Sequence, residues 1–76
     1  MATENLDEDM QLVCNHLLET LQATRGGCNV VNLIYADGPL KETVTMVFLS
    51  GRKQTINVTG DSGMTMIYDI MKYFRR

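Results

Sequence analysis

The amino-acid sequence predicts one small α+β domain with the element order α-β-β-β-α. Three observations predict it: an apolar stripe at helical spacing near the start, three strand-like stretches in the middle, and a second helical stripe at the end. A chain of 76 residues is long enough for one domain and too short for two. We therefore assign residues 1–76 to a single domain and expect residues 1–5 to form a disordered tail.

The first segment, near residues 6–25, is predicted to be an amphipathic helix. Its apolar residues recur at steps of three and four, which places them on one face. They are Leu6, Met10, Val13, Cys14, Leu17, Leu18 and Leu21. Asn5 followed by Glu8 resembles a capping box, and Asp7 is a second candidate for the N-cap. Gly26 is expected to end the helix in the left-handed conformation.

Three strands are predicted near residues 29–36, 42–50 and 54–59, where β-branched and apolar residues alternate with polar ones. The Asp-Gly-Pro sequence at 37–39 predicts a turn between the first two strands. In the first strand, alternation separates two faces, and either of them could be buried. One face carries Val31, Leu33 and Tyr35, and the other carries Val30, Asn32 and Ile34.

The loop between the second and third strands is predicted from parity. A two-residue turn would divide the apolar residues of this hairpin between the two faces of the sheet. A loop of three or five residues places them all on one face. These residues are Met46, Phe48, Ile56 and Val58. We therefore predict an odd loop, with Gly51 in a left-handed bulge position.

A second helix is predicted over residues 63–74, with N-caps supplied by the Thr-Gly-Asp-Ser-Gly sequence at 59–63. Its predicted core-facing residues are Met64, Ile67, Met71 and Phe74, with Ile70 beside them and Met66 off this face near Tyr73. One apolar sheet face and two apolar helix faces can all be buried when both helices pack on the same side of the antiparallel meander. The expected architecture therefore has two layers.

Charge, the start of the sequence and cysteine content indicate where in the cell the protein is expected. The net charge is −2, and the first 24 residues hold five acidic residues and no Lys or Arg. The sequence shows no basic start followed by an apolar segment, so no signal peptide is expected, and no membrane span is expected either. Two cysteines, Cys14 and Cys28, then favour reduced thiols in the cytoplasm.

No group of residues in the sequence predicts catalysis, a cofactor, a metal or a small-molecule site. Residues 60–63, Gly-Asp-Ser-Gly, match the sequence around the nucleophile of trypsin-like proteases, but one histidine in a short chain cannot complete a triad. That histidine, His16, lies on the polar side of the first helix and Cys14 on the apolar side, so zinc ligands do not converge. We expect that the protein is not an enzyme.

The element order, with the turn-strand-Gly-strand-Gly-Asp-Ser-helix run from Asp37 to Met64, resembles the double-stranded RNA-binding domain. The resemblance implies a sheet with both helices on one face. That family carries a Lys-rich cluster at the start of its last helix, where it contacts phosphates. Here the corresponding residues 63–67 are Gly-Met-Thr-Met-Ile and include no lysine. The resemblance therefore supports the fold more than it supports RNA binding.

A fold without catalytic residues predicts a small binding module or regulator that acts through protein–protein contacts, with a homodimer as one form. The candidate partner-binding residues are Arg52, Lys53, Met66, Ile70, Tyr73, Arg75 and Arg76. An edge strand offers a second route to a partner, by strand addition. Two alternatives stay open: a nucleic-acid-binding domain that uses the basic residues of this set, and a phage or mobile-element inhibitor of a host protein, a group in which short α-β-β-β-α chains also occur.

Overall fold

The computed structural model describes residues 9–74 and confirms the predicted fold class. Its elements are α1 (Met10–Gln22), β1 (Val30–Asp37), β2 (Glu42–Phe48), β3 (Lys53–Asn57) and α2 (Gly63–Lys72). The strands form an antiparallel sheet in the order β1-β2-β3. Both helices contribute side chains to the core on one face of this sheet. The predicted tail at 1–5 lies outside the described residues.

Fully buried core residues come from α1, β1, β2 and α2, and Val58, which follows β3, completes the set. Its buried apolar residues are Cys14, Leu21, Val30, Leu33, Val44, Met46, Val58, Met66 and Ile70. Burial of this apolar area, at about 25 cal/mol per Å², is the main favourable term that holds the two layers together. Neither helix in the described part of the chain is long and apolar enough to cross a membrane.

The start of α1 differs from the prediction. Asp9, in an extended conformation, is the N-cap, and its carboxylate accepts a hydrogen bond from the Leu12 backbone N–H at 3.0 Å. The predicted caps Asn5 and Asp7 lie outside the described residues, as does Glu8 of the predicted capping box. Asn5, Asp7 and Asp9 are all of residue types that cap helices, so sequence spacing alone does not choose among them.

The end of α1 also differs from the prediction. Gly26 has no positive φ, and the C-cap is Ala23 in the right-handed conformation. The turn is closed instead by the Thr24 hydroxyl, which donates to the Leu21 carbonyl at 2.7 Å and accepts from the Gly27 N–H at 2.9 Å. Gly27 is buried against Leu21, where a Cβ would lie 2.9 Å from the Leu21 oxygen. A close approach, and not a left-handed cap, is therefore what requires a glycine here.

The odd loop between β2 and β3 is confirmed. The Phe48 N–H donates to the Arg52 carbonyl at 2.9 Å, so three residues, 49–51, form the loop. Gly51 has a φ of 94°, in the left-handed region predicted for it. As parity required, Met46 and Val58 are buried, and Phe48 and Ile56 pack against the same core.

The predicted faces of β1 are wrong at its start. The register shifts between Val30 and Asn32, so both Val30 and Leu33 are buried while Val31 is exposed. A β-bulge inserts one extra residue and reverses the alternation on either side of it. Tyr35 stays on the side of Leu33, as predicted, because both lie beyond the bulge.

The predicted orientation of α2 is wrong at Met64 and Met71, whereas Phe74 packs against the core as predicted. The buried residues are Gly63, Met66 and Ile70, whereas Met64 and Met71 are exposed. The helix carries two apolar stripes, and spacing alone does not say which one faces the sheet. The entry of the helix is set by Ser62, which caps it as predicted by accepting from the Thr65 N–H at 3.2 Å.

Candidate functional site

One face of α2 leaves large apolar side chains in solvent. Met64, Tyr68 and Met71 are 76%, 56% and 39% exposed, and they follow one another at steps of four and three residues. This spacing places them on one side of the helix, opposite the buried Met66 and Ile70. We call Met64, Tyr68 and Met71 the α2 surface stripe.

Two shallow hollows border the α2 surface stripe. One, of about 290 Å³, is lined by Tyr68, Met71, Lys72 and Phe74. The other, of about 260 Å³, lies between α2 and the C-terminal end of α1. Its lining residues include Leu17, Leu21, Met71 and Phe74. Because Met71 and Phe74 line both hollows, the apolar surface continues from α2 towards α1.

Lys72 forms a polar border to the α2 surface stripe. Its ammonium lies 5.3 Å from the centroid of the Tyr68 ring and 3.3 Å from the Asp69 carboxylate. A cation over an aromatic face is attracted by the ring quadrupole. An apolar centre with a charged rim is the usual arrangement at protein–protein contacts.

The structure moves two of the predicted partner-binding residues into the core. Met66 and Ile70 are both 0% exposed, so the prediction that they form a binding surface is wrong. The spacing predicts a buried face that contains Met64 and Met71, and this orientation would leave Met66 at the surface. Two of the exposed residues that replace them, Met64 and Met71, belong to the apolar set that the spacing predicts to face the core, and Tyr68 lies between them at i+4 from Met64.

The other predicted residues are divided between two places. Tyr73 is 39% exposed, and its ring lies 5.9 Å from the Phe48 ring and 5.3 Å from the Phe74 ring. The Arg52 guanidinium lies 5.7 Å from the centroid of the Phe48 ring, so Phe48 joins Arg52 and Tyr73 in one small cluster. Lys53 is exposed at the start of β3. Arg75 and Arg76 lie outside the described residues.

The outer edge of β1 is covered by side chains of α1. The Gly38 N–H donates to the Lys41 carbonyl, and the alternation of the ladder then directs the backbone groups of Leu33 and Tyr35 away from β2. The Gln11 side chain donates to the Leu33 carbonyl at 2.9 Å and accepts from the Tyr35 N–H at 2.8 Å. Gln22 donates to the Val30 carbonyl at 3.1 Å. Two glutamines thus bond to three backbone groups, between Val30 and Tyr35, that a further strand would otherwise use.

The outer edge of β3 has no comparable cover in the described part of the chain. Hydrogen bonds from Phe48 to Arg52 and from Val58 to Glu42 show that the even-numbered residues face β2. The backbone groups of Lys53, Thr55 and Asn57 therefore point outward, and we call them the open edge. Among the described residues, the contact that reaches these groups is a long one of 3.4 Å, from the Gln54 side chain to the Thr55 carbonyl.

A polar network joins the strands to the turn before α2. The Tyr35 hydroxyl donates to one Glu42 carboxylate oxygen at 2.6 Å, and the Gly60 N–H donates to the other at 2.8 Å. The hydrogen bond to Glu42 raises the pKa of Tyr35 to about 12, and the same bond lowers the pKa of Glu42. These bonds stabilise the charged carboxylate and hold the turn in place.

Asp61 and Asp69 form a carboxyl pair on α2 and the turn that precedes it. Interaction with the Asp69 carboxyl, assisted by desolvation, raises the pKa of Asp61 to about 6. Asp61 and Lys72 in turn lower the pKa of Asp69. Among the described residues, no cluster of three or more His, Cys, Asp or Glu side chains could hold a metal ion. The Ser62 hydroxyl of the protease-like sequence is used as the helix cap.

The two cysteine thiols differ in their exposure to solvent. Cys14 is buried, and burial raises its pKa to about 11, so the reactive thiolate is disfavoured. Cys28 is exposed, and its thiol contacts the Arg25 carbonyl at 3.4 Å. Both are free cysteines, and Cys14 serves as a small apolar core residue.

Comparison with known proteins finds no match among protein-family models, curated proteins or solved structures. The geometry of the described chain defines a small two-layer α-β-β-β-α domain with an apolar helix face and one open sheet edge. The similarity in element order to the double-stranded RNA-binding domain stays a resemblance.

Proposed function

We propose that this domain is a non-catalytic binding module or regulator of the cytoplasm that docks on a partner protein through the α2 surface stripe. The observation that supports the proposal is the exposure of Met64, Tyr68 and Met71 on one side of a helix whose opposite side fills the core. A helix that needs only one apolar face for folding carries two. The second face is available to another molecule.

The chemistry of the α2 surface stripe suits a protein partner. Removing apolar area from water contributes about 25 cal/mol per Å², so three large side chains on one face provide a favourable contact. Methionine adapts to irregular surfaces, and tyrosine combines apolar area with a hydroxyl that can hydrogen-bond at the margin of an interface. Grouped apolar side chains at a surface commonly mark an interaction site.

The spacing of the α2 surface stripe also indicates the shape of the partner. Side chains at i, i+4 and i+7 are the anchors with which a helix enters an apolar groove. Lys72, held beside Tyr68, would lie at the rim of that groove. The proposed partner therefore presents an apolar groove, with acceptor groups at its edge for the lysine.

Affinity capture from native lysate, with and without nuclease, tests this proposal. The test variant is Met64→Ser/Tyr68→Ser/Met71→Ser. The matched control is Leu12→Ser/Leu40→Ser/Leu49→Ser, which removes three exposed apolar side chains that lie on three separate elements or loops. We expect the same proteins to be retained by the wild type and the control, with or without nuclease, and to be lost from the test variant.

Two outcomes of the capture experiment would contradict this proposal. Retention of the same proteins by the test variant would show that the α2 surface stripe does not bind them. Capture that disappears after nuclease treatment, and after Arg52→Ser/Lys53→Ser, would favour the nucleic-acid alternative. Circular dichroism of each variant verifies that the fold is intact before capture is compared.

A further inference from the structure

The two edges of the sheet are treated differently, and this difference points to self-association. At β1, Gln11 and Gln22 occupy the outward carbonyls of Leu33 and Val30, and Gln11 also accepts from the Tyr35 N–H. At β3, the open edge presents three N–H and three C=O groups without such a cover in the described chain. An uncovered row of this kind is a template for an added strand.

We propose that two copies of this chain pair antiparallel through the open edge, with the two-fold axis at Thr55. In this register Thr55 pairs with its own counterpart, and Lys53 of each copy pairs with Asn57 of the other. Because outward residues in an antiparallel ladder exchange both hydrogen bonds, every N–H and C=O of the open edge is satisfied. A shift by two residues in either direction leaves the backbone groups of Lys53 or Asn57 unpaired.

The side chains of β3 are compatible with this register. The strand Lys53–Asn57 contains one charged residue, Lys53, and the two-fold axis places it opposite a neutral asparagine. The two lysines are then at opposite ends of the paired strands. Directly opposed like charges, which destabilise strand pairs, are therefore avoided.

The cover on β1 favours a second copy over an open-ended series of added strands. A two-fold contact uses the same surface on both copies and closes upon itself. Once the β3 strands have paired, the outer edges of the combined six-stranded sheet are both β1 strands, and on each of them Gln11 and Gln22 occupy the carbonyls of Leu33 and Val30 and the Tyr35 N–H. Further strand pairing at β1 is therefore disfavoured over Val30–Tyr35, which favours the dimer over a longer series.

The first experiment compares Thr55→Pro with Thr55→Ala. Thr55 directs its N–H away from β2, so proline removes an outward donor without breaking a bond of the existing sheet. Both substitutions remove the contact between the hydroxyls of Thr55 and Thr45, which makes alanine the matched control. We expect concentration-dependent dimerisation of the wild type and Thr55→Ala, from about 10 μM to about 1 mM by analytical ultracentrifugation, and a loss of at least tenfold in affinity for Thr55→Pro.

A charge exchange tests the register and does not depend on proline. Asn57→Lys places a lysine opposite Lys53 of the other copy and should weaken the dimer, whereas Lys53→Glu/Asn57→Lys creates opposite charges at both ends and should restore it. Amide hydrogen exchange of the wild type should show protection of Lys53, Thr55 and Asn57 that increases with concentration. The Gln54 and Ile56 amides, which already bond to β2, provide the internal reference.

Two results would overturn the proposal. One is a wild-type chain that stays monomeric over the whole concentration range. The other is a dimer that Thr55→Pro and Asn57→Lys leave unchanged while the α2 variant Met64→Ser/Tyr68→Ser/Met71→Ser abolishes it, since the interface would then be α2. Loss of partner capture without loss of dimerisation would concern the proposed function alone.

Discussion

The side chain of Gln11 pairs with the backbone of Tyr35 as a neighbouring strand would, with 2.8 Å between the Tyr35 nitrogen and Gln11 Oε1. Its amide nitrogen completes the pairing by donating to the Leu33 carbonyl at 2.9 Å. One residue of α1 thus anchors the helix to β1 and closes the edge of the sheet. Replacing Gln11 should therefore change both the free energy of unfolding and the size of the assembly.

Gln11→Leu is expected to lower the free energy of unfolding by about 1 kcal/mol, because the partly buried Leu33 carbonyl and Tyr35 N–H lose their partners. It should also expose β1 to strand pairing, so species larger than a dimer should appear in light scattering. Urea denaturation and light scattering measure the two effects. Glu19→Leu adds the same side chain to the exposed face of α1 and should show neither effect.

The rotation of α2 is tested by a neighbouring pair of substitutions. Ile70→Ala should lower the free energy of unfolding by about 2–5 kcal/mol, because it leaves a cavity at a fully buried position. Met71→Ala, one residue further along, should cost less, about 1 kcal/mol or below, because the side chain is 39% exposed. Urea denaturation measures both. A larger loss for Met71→Ala than for Ile70→Ala would contradict the orientation described here.

The Asp61–Asp69 pair predicts a pH-dependent stability. The pKa of Asp61 is raised from 3.8 to about 6, so the folded state binds this proton more tightly than the unfolded state. Its contribution is fully present below pH 3.8 and is lost as pH rises through 6, so this pair should make the protein more stable at pH 5 than at pH 7.5. Asp69, whose pKa is lowered, contributes above its unfolded pKa and loses that contribution in stronger acid.

Urea denaturation between pH 5 and pH 7.5 measures this effect of Asp61, a window that contains its raised pKa of about 6. The groups that face Asp61 are Asp69 and Lys72 on α2 and Glu42 on β2. Asp61→Asn should remove the gain at lower pH and raise stability at pH 7.5, since it removes the repulsion between carboxylates. Asp37→Asn, at the end of β1, is the control and should keep the wild-type dependence. An unchanged dependence in Asp61→Asn would exclude this pair as its source.

Two glycines separate the effect of backbone conformation from that of space. Neither Gly51 nor Gly26 has an atom within 4 Å of the position that a Cβ would take, but Gly51 has a φ of 94°. Gly51→Ala should therefore cost about 1–2 kcal/mol through the left-handed conformation alone. Gly26→Ala should be neutral or stabilise by up to about 1 kcal/mol, because it restricts the unfolded chain. Thermal unfolding of the two variants measures this difference. A Gly26→Ala variant that is less stable than Gly51→Ala would contradict the prediction.

The hairpin of β2 and β3 shows what local pattern can predict. Met46, Phe48, Ile56 and Val58 can share a face only if the loop has an odd number of residues, and the three-residue loop with Gly51 left-handed meets that condition. The condition is arithmetic, because side chains alternate at every residue of a strand. Strand pairing and loop type were therefore predictable without knowledge of the rest of the fold.

The candidate surface was not predictable in the same way. The bulge near Val31 exposes that residue and buries Val30. The orientation of α2 places Met66 and Ile70 in the core and Met64 and Met71 at the surface. In β1 and in α2, both of the faces that could have been buried carry apolar residues. A pattern that is apolar on both faces carries no information about which face the rest of the chain will cover.

By itself, the sequence determined the number, type and order of the elements, the two-layer class and the parity of the hairpin. These depend on side-chain periods and on turn residues, which act within a few residues of one another. The tertiary structure alone decided the orientation of α2, the bulge in β1 and the closure of one sheet edge by Gln11 and Gln22. Each of these depends on contacts between segments distant in the chain, where the burial of one apolar face leaves the other in solvent.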